Sequence, residues 1–147
     1  MPQLSLHSPL GALTISQEDE ALVALDWGWG CMQEETVLLR RARAQLHAYF
    51  DGELECFDLP LAPMGTAYRL KVWDALSQIP FGATRTYGEI AGEIGGSARS
   101  VGQANGHNPL PILIPCHRVV ARSGIGGFTG EGGTDTKRFL LDLEKDN

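Results

Sequence analysis

The sequence is poor in cysteine, in positive charge and in long apolar stretches, and each shortage argues against a class of protein. Only three of the 147 residues are cysteines, and no two form a CxxC pair, which argues against a disulfide framework and favours a reducing compartment. No apolar run approaches the roughly 20 residues of a membrane span, and the N-terminus lacks a charged, apolar, cleavable leader. We therefore expect a soluble, cytoplasmic protein without a membrane partner.

Positive charge is scarce overall, but it is unevenly distributed. The net charge of −6 argues at first against nucleic-acid binding, because phosphate contacts need cations. Residues 1–65 hold 3 basic against 10 acidic residues, a charge of −7, whereas residues 66–147 hold 9 against 8, a charge of +1. A DNA site would therefore belong to the C-terminal part and would be weakly charged.

The pattern of apolar residues predicts two domains, residues 1–63 and residues 64–147, joined at a proline-containing linker. In the first domain, period-two alternation over residues 3–27 predicts a three-stranded antiparallel meander. Residues 36–50 then place apolar side chains at steps of three and four, which predicts a helix. His7 and His47 have no partners at metal-binding spacing, so we expect no metal site.

The second domain contains a predicted helix-turn-helix. A first helix runs from Thr66 to about residue 78, with Leu70 among its inward residues; Thr86 and Glu89 then form a capping box for a short helix. A glycine turn joins this helix to another over residues 98–105, which is built almost entirely of small residues around Arg99. A slim helix of this kind suits a narrow minor groove, but close packing against a neighbouring helix explains it equally well.

The segment Asn108–Val120, NPLPILIPCHRVV, is the one around which the domain is organised. Its β-forming run before Pro115 predicts a buried strand that ends where Cys116 begins. Neighbours on an extended backbone point apart, so a turn or a bridging water has to connect Cys116 with His117. A carboxylate that orients the imidazole would complete an activated thiol. Glu144, near the end of a last helix that also directs Phe139 inward, is the candidate; an ordinary surface glutamate is the alternative.

The run NPLPILIPCHRVV closely resembles the active-site segment of the methylated-DNA–protein-cysteine methyltransferases, also called O6-alkylguanine-DNA alkyltransferases, whose hallmark is PCHR. VWDALSQIPFGATRTYGEIA is similar to that family's helix, IPFG turn and tyrosine, and SARSVGQANGHNP to its recognition helix and asparagine hinge. GGFTGEGG and KRFLLDLE resemble its substrate loop and final helix. The resemblance covers residues 66–144 almost without gaps.

The resemblance implies direct, stoichiometric removal of the alkyl group from O6-alkylguanine in DNA, a single-turnover methyltransferase reaction without a cofactor or a metal. Cys116 would accept the alkyl group, His117 would deprotonate it through a water, and Glu144 would orient His117. Asn108 would hold the turn before the active-site segment. Tyr87 would help to rotate the nucleotide out of the duplex and would donate a hydrogen bond to the departing guanine.

The same resemblance implies how duplex DNA is bound. Arg99 would fill the gap left by the flipped base, and the recognition helix would lie in the minor groove with little sequence preference. The residues implied at this surface are Ser97, Ala98, Arg99, Ser100, Gly102, Gln103 and Tyr87. Those implied around the substrate pocket are Phe128, Thr129, Pro111 and Arg118.

The implied fold is α+β: a small N-terminal domain of antiparallel sheet and helix, packed on a mainly helical, winged-helix-like DNA-binding domain. A cytoplasmic monomer that associates with the nucleoid when bound to DNA is expected. Two rival functions remain open. A lesion-binding protein that signals to other repair systems would recognise alkylated bases without removing them, and a thiol hydrolase using Cys116 and His117 would turn over many times without DNA.

Overall fold

The computed structural model describes residues 1–126 and 133–145, and the chain divides into two compact units, Met1–Met64 and Gly65–Asn147. The first unit combines an antiparallel sheet with one helix, and the second is mainly helical, so the predicted α+β class is confirmed. Among the residues described, no helix is both long enough and apolar enough to cross a bilayer.

The first unit is a three-stranded meander with a helix against it, as predicted. Leu4 pairs with Ile15 across the first two strands, so alternate apolar side chains share one buried face. Thr36 caps the helix by accepting a hydrogen bond from the backbone N–H of Leu39. The elements are β1 (Gln3–Ser8), β2 (Gly11–Glu18), β3 (Ala21–Trp27) and α1 (Val37–Phe50).

Four helices and two short parallel strands form the described part of the second unit. The helices are α2 (Ala67–Ser77), α3 (Tyr87–Ile94), α4 (Ala98–Gly106) and α5 (Thr134–Lys145). The strands are β4 (Arg85–Thr86) and β5 (Val119–Val120). The indole N–H of Trp73 on α2 donates to the carbonyl of Ala104 on α4 at 2.8 Å, which fixes the two helices together.

Helices α3 and α4 form the predicted helix-turn-helix, and both begin with a capping box. Thr86 pairs with Glu89 at the start of α3, and Ser97 pairs with Ser100 at the start of α4. In the turn between them, Gly95 and Gly96 have φ values of 98° and 90°, which L side chains rarely adopt. A side chain at Gly96 would also collide with the hydroxyl of Tyr68.

The predicted strand over residues 112–114 is wrong. The run forms a buried turn in which the N–H of Ile114 donates to the carbonyl of Leu110 at 2.8 Å and Ile112 has a φ of 75°. Short apolar runs have no periodicity that separates a buried strand from another buried segment. In a sheet, a neighbouring strand would satisfy the backbone groups of this segment. Here the side-chain amide of Asn108 does so, because it donates to the carbonyl of Ile114 and accepts from the N–H of Leu110.

Two side chains predicted to face inward are exposed: Leu70 on α2 by 41% and Phe139 on α5 by 37%. The other residues predicted to be buried on α2, Val72, Trp73 and Leu76, are buried, and Ala75 joins them. On α5, Leu140 is buried, but it shares its face with polar residues, namely Thr136, Lys137 and Glu144. The helix itself lies where it was predicted, but the pattern of apolar residues misassigned Phe139 because polar side chains occupy much of the buried face.

Candidate active site in the second unit

Cys116 opens a 3-10 turn, Cys116–Arg118, rather than ending a strand. The turn is closed by the N–H of Arg118, which donates to the carbonyl of Pro115 at 3.0 Å. The side-chain amide of Asn105 on α4 donates to the carbonyl of Cys116 at 3.3 Å. Cys116 is 5% exposed, so the chain presents a nearly buried thiol from a backbone that is fixed on both sides.

His117 follows in the same turn, and its imidazole is completely buried. Its Nε2 lies 2.6 Å from Oε2 of Glu144. Since a carboxylate can only accept, Nε2 carries the hydrogen and donates a hydrogen bond to Glu144. Within the described residues, Nδ1 has no hydrogen-bond partner. Such a tautomer leaves a lone pair on Nδ1, and this atom can accept a proton.

Glu144 is 2% exposed, so the alternative of a surface glutamate is wrong. Arg118 donates to both of its oxygens, from Nε to Oε1 and from Nη2 to Oε2, each at 2.9 Å. The remaining guanidinium nitrogen donates to the carbonyl of Ile79 at 2.7 Å. The two hydrogen bonds from Arg118 hold the carboxylate of Glu144 in one position, and the guanidinium balances its charge. A carboxylate held in this way can orient an imidazole.

The pKa values of the thiol and the imidazole move in the directions expected for buried groups. Burial lowers the pKa of His117 below its ordinary value, although Glu144 opposes the change, so the ring is neutral and able to act as a base. Burial raises the pKa of the Cys116 thiol, and both the side chain of Asn108 and the charge of Lys137 oppose that increase. The resting sulfur is therefore a thiol that needs help to ionise.

Asn108 lies where α4 passes into the buried turn. Its Nδ2 donates to the carbonyl of Ile114 at 2.9 Å, and its Oδ1 accepts from the N–H of Leu110 at 2.9 Å. The same amide interacts with the thiol of Cys116. Asn108 thus ties the end of the helix-turn-helix to the turn that holds the sulfur.

Sequence reasoning missed Lys137, which is fully buried on α5. Its Nζ donates to the carbonyl of Val119 at 2.6 Å and lies 3.4 Å from the hydroxyl of Tyr87. A usable signal was present: Lys137 precedes Glu144 by seven residues, so the two share one face of a helix. Arg118 was expected at the substrate pocket, and its contact with Glu144 was not predicted.

The residues predicted to contact DNA lie mostly on the outer side of α4. Ala98, Arg99 and Gln103 are exposed, and Ser97 is the exposed N-cap, whereas Ser100 and Gly102 are half-buried. Val101 and Ala104 face the interior, so the small residues serve close packing on one side and a low outer profile on the other.

A cleft of about 690 Å³ adjoins this surface. The described residues that line it are Thr86, Tyr87, Gly88, Glu89, Ala98, Ala121 and Arg122. Of the four residues predicted around the substrate pocket, Pro111 is buried and Arg118 is bound to Glu144, and neither lines the cleft. Phe128 and Thr129, with most of the glycine-rich segment predicted to be a mobile loop, lie outside the described residues.

Comparison with known proteins covers both units. Residues 4–63 match the family model "6-O-methylguanine DNA methyltransferase, ribonuclease-like domain", and residues 67–146 match "6-O-methylguanine DNA methyltransferase, DNA binding domain". The methylated-DNA–protein-cysteine methyltransferase of Methanosarcina acetivorans is 43% identical over 149 residues, which is 94% of each chain. That of Mycobacterium bovis is 46% identical over 156 residues, 96% of this chain and 90% of the relative.

Solved structures agree. The crystal structure of Mycobacterium tuberculosis OGT in complex with DNA has a TM-score of 0.88 and 43% identity, and the alignment covers 99% of this chain and 94% of that one. The O6-methylguanine DNA methyltransferase from Methanococcus jannaschii has a TM-score of 0.72 and 30% identity, with 98% and 94% covered. The resemblance found in the motifs is thus confirmed along the whole sequence, and the chain belongs to the 6-O-methylguanine DNA methyltransferase family.

Proposed function

We propose that this protein repairs DNA directly, by transferring the alkyl group from O6-alkylguanine to its own Cys116. The observation that carries the proposal is the buried series of contacts from Arg118 to Glu144 to His117 beside a fixed thiol, in a unit with a helix-turn-helix. Relatives named methylated-DNA–protein-cysteine methyltransferases support it, as does the likeness to a relative crystallised with DNA.

The reaction uses each member of that series in turn. Nδ1 of His117 takes the thiol proton of Cys116 through a water, while Glu144, held by Arg118, keeps the proton on Nε2 and stabilises the imidazolium. The sulfur lone pair then forms a bond to the alkyl carbon as the bond from carbon to O6 breaks. The released electron pair goes to the guanine, which takes a proton from the hydroxyl of Tyr87. A thioether on Cys116 is a poor leaving group, so each molecule reacts once.

Chemistry on a base atom requires the nucleotide to leave the stack, at a cost of a few kcal/mol. The cleft beside Tyr87 is large enough to receive a nucleotide, and Arg99 stands exposed on α4, where it can occupy the gap in the duplex. The small residues of that helix give it a low profile suited to the minor groove, namely Ser97, Ala98, Ser100 and Gly102. Gln103, exposed on the same helix, is proposed to contact the DNA with them. The nearly neutral charge of residues 66–147 suits modest affinity with little sequence preference.

The remaining assignments follow from the same family resemblance. Pro111, Phe128 and Thr129 are proposed to shape the substrate pocket, and Asn108 to keep the turn before Cys116 in place. The resemblance places Arg118 at the same pocket, but its hydrogen bonds to Glu144 support a different role, in which Arg118 acts through Glu144 rather than on the base. The protein is proposed to act as a monomer in the cytoplasm, on nucleoid DNA.

Stoichiometry tests the proposal. A duplex with one O6-methylguanine is treated with less protein than lesion, and the restored guanine is counted. We expect one guanine per protein molecule and none with Cys116→Ser, whereas Cys31→Ser, at an exposed cysteine, should repair normally. Repair that continues past one equivalent would favour a turnover enzyme, and tight binding without any restored guanine would favour a lesion-binding protein.

A further inference from the structure

Two buried polar atoms near the acceptor thiol have no hydrogen-bond partner among the described residues. One is Nδ1 of His117, and the other is Oδ1 of Asn105. His117 is 0% exposed and Asn105 is 5% exposed, so neither side chain is open to bulk solvent. A buried polar atom without a partner costs free energy, and proteins commonly satisfy such atoms with an ordered water. The pair therefore requires an explanation.

Asn105 lies on the inner side of α4, where the active-site turn orients its amide group. Its Nδ2 donates to the carbonyl of Cys116 at 3.3 Å. Because a carbonyl can only accept, Nδ2 faces it and Oδ1 points away, which leaves Oδ1 as a free acceptor. His117 follows Cys116 directly, so the residue that bears the imidazole is joined to the carbonyl that Asn105 contacts. The two unpaired atoms thus belong to groups on either side of one peptide carbonyl.

The thiol of Cys116 needs an acceptor for its hydrogen. Burial raises the pKa of Cys116, whereas the side chain of Asn108 and the backbone of Ile112 lower it, as hydrogen-bond donors to sulfur do. Those partners donate, so they leave the thiol hydrogen unused. One water satisfies all three groups, because it donates one hydrogen to the imidazole, donates the other to the amide and accepts from the thiol. About three hydrogen bonds are typical of a buried water.

We propose that Asn105 binds the water that carries the proton from Cys116 to His117. This inference rests on the proposed function and adds a residue to it. The thiol proton passes to the water as the hydrogen that faces the imidazole passes to Nδ1, and the hydrogen donated to Asn105 stays on the water. The step yields a thiolate, an imidazolium and the same water. Asn105 acts through that water and is a positioning residue.

A series of pH values separates proton transfer from packing. Asn105→Leu removes the amide at similar volume, and Gln78→Leu removes the amide of an exposed residue at the end of α2 as a control. The full chain is alkylated with iodoacetamide, a neutral electrophile, and the extent of reaction is measured on the tryptic peptide of residues 100–118, in which Cys116 is the single cysteine. Both variants keep the charged groups that face His117, namely Glu144, Arg118 and Lys137.

Asn105→Leu loses the water that stabilises both the thiolate and the imidazolium. The midpoint of alkylation at Cys116 should therefore rise by about one pH unit, which reduces the rate at pH 7 about tenfold. At alkaline pH, where hydroxide ionises the thiol without the water, the rates of Asn105→Leu and of the unchanged protein should converge. Gln78→Leu should match the unchanged protein throughout.

Two results of the alkylation series would overturn the proposal. One is a profile of Asn105→Leu that coincides with that of the unchanged protein. The other is equal slowing at every pH, which would show a packing defect rather than a lost proton path. The assay contains no DNA, so it gives an answer even if transfer from guanine were never observed.

A second measurement needs no variant and serves if Asn105→Leu does not fold. A crystal structure of the unchanged protein should contain an ordered water within about 3.2 Å of both Nδ1 of His117 and Oδ1 of Asn105. The same water should lie within reach of the sulfur of Cys116. A water that contacts His117 but not Asn105, or a site without an ordered water, would contradict the proposal.

Discussion

Replacing Arg118 with methionine removes one half of a buried ion pair and leaves the other half behind. Arg118 donates to both oxygens of Glu144 at 2.9 Å and to the carbonyl of Ile79 at 2.7 Å. Glu144 is 2% exposed, so solvent cannot replace the lost donors. Removing one partner of such a pair costs about 3–5 kcal/mol, a large part of the roughly 5–15 kcal/mol that stabilises a typical domain.

The same substitution should change the pH dependence of repair. The charge of Arg118 contributes to the lowered pKa of His117, and the unpaired carboxylate of Glu144 would favour the imidazolium further. An imidazolium cannot accept the thiol proton. The acid limb of the transfer rate in Arg118→Met should therefore move to higher pH.

Urea unfolding of four proteins measures the cost: the unchanged chain, Arg118→Met, Glu144→Met and the double variant. Since the double variant removes both charges, its free energy of unfolding should lie above that of either single variant. Arg138→Met, at an exposed position of the same helix, should change the free energy by no more than about 0.5 kcal/mol. Two results would refute the reasoning. One is a loss of unfolding free energy in Arg118→Met no larger than that in Arg138→Met. The other is a loss in the double variant equal to the sum of the losses in Arg118→Met and Glu144→Met.

Three further outcomes are expected. Arg99→Ala should slow repair of duplex DNA far more than reaction with a free O6-alkylguanine, and equal losses on both substrates would remove Arg99 from the flipping step. Gly96→Ala should cost at least about 1 kcal/mol, because the position has positive φ and faces the Tyr68 hydroxyl, whereas Gly92→Ala, in a helix with nothing near its added carbon, should stabilise by up to about 1 kcal/mol. Because the pKa of folded His117 lies below its ordinary 6.5, the unfolded chain binds more protons there, so the free energy of unfolding should fall as pH drops below 6.5 and should fall less in His117→Gln.

Local signals in the sequence predicted most of the fold. Two of these signals depend on only a few neighbouring residues, and the structure has both: the capping box of Thr86 with Glu89 and the glycine turn at Gly95. The alternation of apolar and polar residues over residues 3–27 requires a strand register that places the apolar side chains on one face of the sheet, and the observed meander has such a register.

The pattern of apolar residues gave wrong predictions where polar side chains are buried. The run before Pro115 became a turn because Asn108 provides hydrogen bonds that no pattern of apolar residues encodes. On α5, Lys137 and Glu144 occupy the buried face, so the periodicity that placed Phe139 inward was misleading. These exceptions coincide with the candidate site, where burial of charge is offset by partners distant in sequence.

The most direct test of the account is the mass of the peptide of residues 100–118 after the protein has been exposed to duplex DNA containing O6-methylguanine. We expect one added methyl group on Cys116 in every reacted molecule, and no added mass on this peptide in Cys116→Ser. A methyl group found on Cys31 or Cys56 instead, or guanine restored while the peptide keeps its original mass, would contradict it.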